Sequence, residues 1–247
     1  MVKKIAEEKK VVEVKAERKY TLSVGLKDLL AAGSHLGHKV SKTNPKAREN
    51  IYVAKDGIQI IDLVKTLAKL DEAANFIYQA KKNGQMVALI GTKRQAREVV
   101  RRVAGEAGVP FITDRWLGGT VSNWLEIKKN IKRLNDINSG KETGKFAEYS
   151  KKDLSLLRKE TGRLNKMVGG LTTLEKLFDV AFVVDAGFEK TAVKECREKG
   201  IKVVAIVDTD GDPNGVDVAI PANDDNVKSI TVIVEEIGKA IKAGNQK

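Results

Sequence analysis

The chain has one cysteine, Cys196, in 247 residues, which excludes an intrachain disulfide and fits a reducing compartment such as the cytoplasm. Long apolar runs are missing as well. The longest span five residues, as at residues 86–90 and 180–184, against the ~20 that a membrane helix requires. The Lys- and Glu-rich start predicts no signal-peptide core, and no membrane partner is expected. Histidine is scarce: His35 and His38 lie three apart, zinc would need a third ligand, and none stands near them in sequence. Hydrogen bonding inside a Gly-bounded loop is the favoured reading, with no metal expected.

Enzyme signatures are equally thin. The turn Gly91-Thr-Lys-Arg94 lacks the second Gly followed by Lys and Ser or Thr of a P-loop, and two of the three glycines of a dinucleotide fingerprint. Ser34 follows Gly33 directly, so the G-x-S-x-G pattern is absent. Asp210, Asp212 and Asn214 begin in the register of a calcium loop, but its twelfth position is Pro221. Cys196 lies between Lys194 and Arg197, cations that lower a thiol pKa, yet no His is near in sequence and it reads as a small packing residue. No cofactor, small-molecule substrate or catalytic residue is expected. The enzyme alternative is an α/β protein holding a nucleotide or phosphosugar between Gly91 and the Asp208–Asp212 loop.

Positive charge is abundant, and it is uneven. The net charge is +12. Residues 1–20 carry about +3, residues 21–118 about +7, residues 119–178 about +6 with 13 basic and 7 acidic side chains, and residues 179–247 about −4. That asymmetry points to an oriented contact with a polyanion. The composition, 42% apolar and 32% charged, is that of a folded protein.

Residues 1–20 read as a mobile charged tail. Residues 51–53 and 58–60 flank Asp56-Gly57, a hairpin signal. Asp62 is placed to cap a helix that ends at Asn83-Gly84. Strands are expected at residues 86–90, 109–112, 180–184, 202–207 and 216–220, and helices through Arg101, over 189–199 and over 226–241. This alternation predicts an α/β fold with a parallel sheet covered on both faces, built from residues 21–120 and 179–247. Residues 121–178 interrupt it. Trp124, Ile127, Ile131 and Leu134 recur at helical spacing, as do Leu154, Leu157, Thr161, Leu164 and Val168, with Gly140 and Gly144 breaking the run between them. The pattern is the apolar seam of two antiparallel helices, a coiled-coil hairpin insert. Lysines and arginines, Lys128 and Lys132 among them, fill the other faces. Docking of a partner protein on this hairpin is a third functional reading.

Gly33-Ser-His-Leu-Gly-His38, Asn44-Pro-Lys46, Gly91-Thr-Lys-Arg-Gln-Ala96, Arg115-Trp-Leu-Gly-Gly-Thr120 with Asn123-Trp124, residues 179–185, Ala205-Ile-Val-Asp208 and Asp212-Pro213 occur in that order. Together they resemble protein S-two of the bacterial small ribosomal subunit, over residues 22–243. Thr43, Asp114 and Phe178 depart from that family's usual residues. The resemblance implies a flavodoxin-like three-layer core with a protruding helical hairpin. It implies binding to 16S ribosomal RNA near the head–body junction, neighbouring small-subunit proteins as partners, help in anchoring the mRNA-binding protein S-one, and no catalysis. On that reading Lys39, Lys42, Lys46 and Arg48 meet RNA phosphates. So do Lys93, Arg94, Arg97, Arg101, Arg102 and Arg115, with Lys128 and Lys132 adding contacts from the hairpin. Recognition is expected to follow backbone shape, and Trp116 is expected to pack in the core rather than stack on a base.

Overall fold

In the computed structural model, which describes residues 20–245, the elements run α1 (Leu26–Ala31), β1 (Leu36–Lys39), β2 (Ile51–Lys55), β3 (Ile58–Ile61), α2 (Leu63–Lys82), β4 (Val87–Ile90), α3 (Arg97–Ala107), β5 (Phe111–Ile112), α4 (Trp124–Glu142), α5 (Lys151–Val168), β6 (Val180–Val184), α6 (Lys190–Glu198), β7 (Lys202–Val207), β8 (Val218–Pro221) and α7 (Val227–Asn245). The last five strands form one parallel sheet in the order β5-β4-β6-β7-β8. Their short apolar runs follow from burial on both faces. Leu89, Phe182, Val184 and Ile206 enter a core shared with α2, α3 and α7. Ile90, Val183, Ala205 and Val207 enter a second core shared with α4, α5 and α6.

A second, antiparallel sheet has the order β1-β3-β2. The β2–β3 hairpin turns on Asp56 and Gly57, both at positive φ, as that dipeptide predicts. The third strand, β1, lies where a loop was expected. Its residues lack an apolar alternation because Leu36 and Lys39 are exposed and Gly37 packs on Thr209, leaving no room for a side chain: a Cβ on Gly37 would stand 2.6 Å from Thr209 Cγ2. Asp62 caps α2 by accepting from Val64 N at 2.9 Å. Tyr20, assigned to the tail by charge pattern, is fastened to the fold: its hydroxyl donates to buried Glu236 and its backbone N–H to Asn75. The rest of the expected tail, residues 1–19, lies outside the described residues.

Between β5 and β6, Ile127, Ile131, Leu134 and Ile137 of α4 and Leu157, Thr161, Leu164 and Val168 of α5 are buried, at the three-and-four spacing of the sequence. Arg133 and Glu160 bridge the two helices through two hydrogen bonds of 2.9 and 3.0 Å. Gly140 does not end α4, which continues to Glu142. Its missing Cβ instead admits the Phe146 ring, which a side chain there would meet at 2.8 Å.

Candidate nucleic-acid interface

The loops at the carboxyl edge of the parallel sheet, where α/β folds gather their sites, bring together charges that are distant in sequence. Lys93, after β4, points inward. Its ammonium lies 3.0 Å from Asp185, 2.7 Å from Asp224 and 2.6 Å from Asp225. Burial works against the charge on Lys93, but the hydrogen bonds and charges of these carboxylates hold its pKa above the ordinary lysine value. Asp224 is pushed well above the carboxylate range by burial and by Asp185 and Asp208. His38, on β1, has Nδ1 3.2 Å from Asp208, outside linear hydrogen-bond geometry, and Nε2 3.3 Å from Asp225. Asp208 raises it to about 9 against the opposing effect of burial. His38, Asp208 and Asp224 offer three ligand atoms within 4.8 Å of one another. The carboxylate neighbours that sequence distance hid from His38 are therefore present, delivered by the loops after β7 and β8. Among the described residues His35 has no such neighbour, and its buried Nδ1 finds no hydrogen-bond partner.

The remaining cations predicted to contact RNA lie on the surface, in two groups. Lys39, Lys42, Arg48, Arg94, Arg115, Lys128 and Lys132 are exposed and make no ion pair among the described residues. The others are exposed but occupied. Lys46 is paired to Asp212 at 2.6 Å. Arg97 donates to the carbonyls of Thr92 and Asp114, Arg101 is 3.2 Å from the Asp114 carboxylate, and Arg102 bridges Glu106 and Glu235. Asp114, one of the departures from the family pattern, thus takes up part of the α3 charge. Beside α4, a groove of about 910 Å³ is lined by Leu125, Lys128, Lys132, Asn135 and Thr172.

The Arg115-to-Thr120 segment turns the chain out of the sheet into α4, and one buried carboxylate organises it. Glu195, on α6, accepts from the backbone N–H groups of Gly119, Val121 and Ser122 and from Trp116 Nε1. Burial alone would raise its pKa; these four donors bring it below the ordinary carboxylate value. Trp116 is 8% exposed, a core residue as expected. Arg115 is presented to solvent from this held turn. Nothing in the sequence marked Glu195, because its partners, three backbone N–H groups and one indole N–H, lie some 75 residues away. Its neighbour Cys196 is fully buried, and burial, with Glu195 beside it, pushes the thiol up to about 12, so the adjacent cations do not activate it. Phe178, another departure, is a core residue, and the Thr43 hydroxyl accepts from Gln59.

Among the described residues no helix is long and apolar enough to cross a membrane. The family model described as "Ribosomal protein S2" matches residues 29–244. The small ribosomal subunit protein uS2 of Oenococcus oeni is 42% identical over 224 residues, covering 91% of this chain and 86% of that relative.

Proposed function

This chain belongs to the ribosomal protein S2 family, and from that premise we propose that it is a structural constituent of the small ribosomal subunit, working in the cytoplasm, that binds 16S ribosomal RNA through phosphate contacts near the head–body junction. Members of this family are structural proteins rather than enzymes, so the nucleotide-binding alternative is set aside. The observation that carries the RNA reading is the set of exposed cations without an ion-pair partner among the described residues, spread over β1, the turns between β1 and β2, the loop after β4, the Arg115 turn and α4. Lys93 supports the fold from within, and Lys46, Arg97, Arg101 and Arg102 must exchange or share their present partners to reach a phosphate. We read the core as flavodoxin-like, since its strand order, counted within the sheet, is 2-1-3-4-5. We read α4 and α5 as an antiparallel coiled-coil hairpin inserted between residues 121 and 178. The test is filter binding of the full chain to small-subunit RNA. Arg94→Ala and Arg115→Ala each weaken binding several-fold without lowering thermal stability; unchanged affinity in both removes this interface.

Protein S-one anchoring has its own support. Leu26, Leu30, Tyr52 and Val64, between 42% and 77% exposed, line an apolar groove of about 350 Å³ with almost no polar surface. A patch of this kind suits a protein partner better than RNA. Tyr52→Asp should lower retention of protein S-one on purified subunits while the variant itself still assembles.

A further inference from the structure

The far end of the α4–α5 pair differs from the rest of the insert. A groove of about 600 Å³ there is lined by Arg133, Glu148, Tyr149, Asp153, Leu156 and Glu160, with Leu157 and Ser150 completing its wall. It gathers three of the seven carboxylates of residues 119–178 but one of their thirteen cations. That cation, Arg133, is already neutralised by the two-pronged contact with Glu160. Asp153 accepts from Ser150 Oγ, and neither it nor Glu148 makes an ion pair among the described residues. Lys151, Lys152 and Arg163 flank the groove, but the charges lining it without an ion pair among the described residues are Glu148 and Asp153, so a phosphate seated in it meets like charge at contact distance. A cation is attracted over the same distance.

The groove also has an apolar component. Leu156 is 56% exposed and Tyr149 45%. The Tyr149 ring is braced edge-on by Phe146, with centroids 5.0 Å apart and planes at 70°, and Phe146 is seated against Gly140. A held aromatic face beside two free carboxylates fits a guanidinium or ammonium that stacks on the ring and hydrogen-bonds to the acids. An aliphatic side chain two or three residues away would cover Leu156. We propose that this groove docks a lysine- or arginine-rich protein segment carrying an apolar side chain, and not RNA. The arm then divides its work, with phosphates met along its shaft and a cationic polypeptide at its end. The inference rests on the small-subunit reading only for where such a segment comes from, and the binding itself can be measured on the free chain.

The full-length chain is titrated against a fluorescein-labelled twelve-residue peptide of alternating Arg, Leu and Lys, with oligouridine as a second probe, by fluorescence anisotropy at low salt. The peptide binds, and the double variant Glu148→Gln, Asp153→Asn, which keeps the helix cap, weakens it at least ten-fold. Leu156→Asp weakens it about five-fold, with oligouridine affinity within two-fold of the parent. The proposal is overturned if the parent chain does not bind the peptide or if the double variant binds it equally well. It is also overturned if Tyr149→Ala lowers oligouridine affinity ten-fold, which would make the ring a base-stacking platform. Thermal melts confirm that each variant is folded, and the RNA test of the preceding subsection is decided independently by Arg94 and Arg115.

Discussion

Single residues here act mainly by satisfying distant backbone and charge partners. Glu195 holds three backbone N–H groups and an indole N–H, so Glu195→Ala would leave those donors unpaired in the segment that leads into α4. The expected cost is about 3 kcal/mol, read as a lower urea midpoint. An unchanged midpoint would mean that water replaces the carboxylate freely. His38 gives a pH signature. Unfolded, it loses its proton near 6.5; in the fold it holds it to about 9. Its contribution is therefore complete below pH 6.5 and lost as pH rises through 9, amounting to about 1–2 kcal/mol after allowance for solvent at a partly exposed ring. The raised Asp224 acts in the same direction, since its fold-favoured proton is lost on going alkaline. Stability should decline between pH 6.5 and 9, and His38→Gln should flatten that decline; a parent curve that is level or rising there contradicts the assignment. Neither site was legible locally. Lys93 read as a phosphate ligand because its loop is glycine-led and basic, and only the loops after β6 and β8 show that its charge is already taken.

Elements were more legible than sites, for reasons of pattern. A strand covered on both faces must be apolar throughout, and so β4, β6 and β7 stand out in the sequence. A helix with one buried face repeats at three and four, and so α4 and α5 do too. β1 did not, because its contacts are with a backbone and a threonine rather than with an apolar layer. The short turn at Gly169–Leu171 was invisible for a similar reason. Gly170 lies so close to β5 that a Cβ would come within 2.1 Å of the Phe111 carbonyl oxygen. Gly170→Ala should therefore destabilise the protein by about 3 kcal/mol, measured by differential scanning calorimetry. A loss below about 0.5 kcal/mol would show that α5 and β5 separate at little cost.

At the scale of the whole molecule, the dominant quantity is charge. A +12 chain with an acidic C-terminal third and exposed cations that are unpaired among the described residues, on β1, on the loop leading into α3 and on α4, should bind RNA with strong salt dependence. Each phosphate contact contributes a slope of about −0.7 to −0.9 in log affinity against log salt. Five or more contacts predict a total steeper than about −3.5, and a slope near zero in a salt titration would contradict phosphate binding altogether. Lys93→Met should leave that slope unchanged while lowering stability, because the charge it removes faces inward.

The sequence by itself determined the α/β alternation, the burial of the sheet, the buried faces of α4 and α5 and the sign of the charge, since each depends on local periodicity or on composition. The tertiary structure alone decided which cations are free. Whether a lysine meets solvent or a carboxylate depends on loops that are far apart in the chain and adjacent at the edge of the sheet, as the surroundings of Lys93, His38 and Glu195 show.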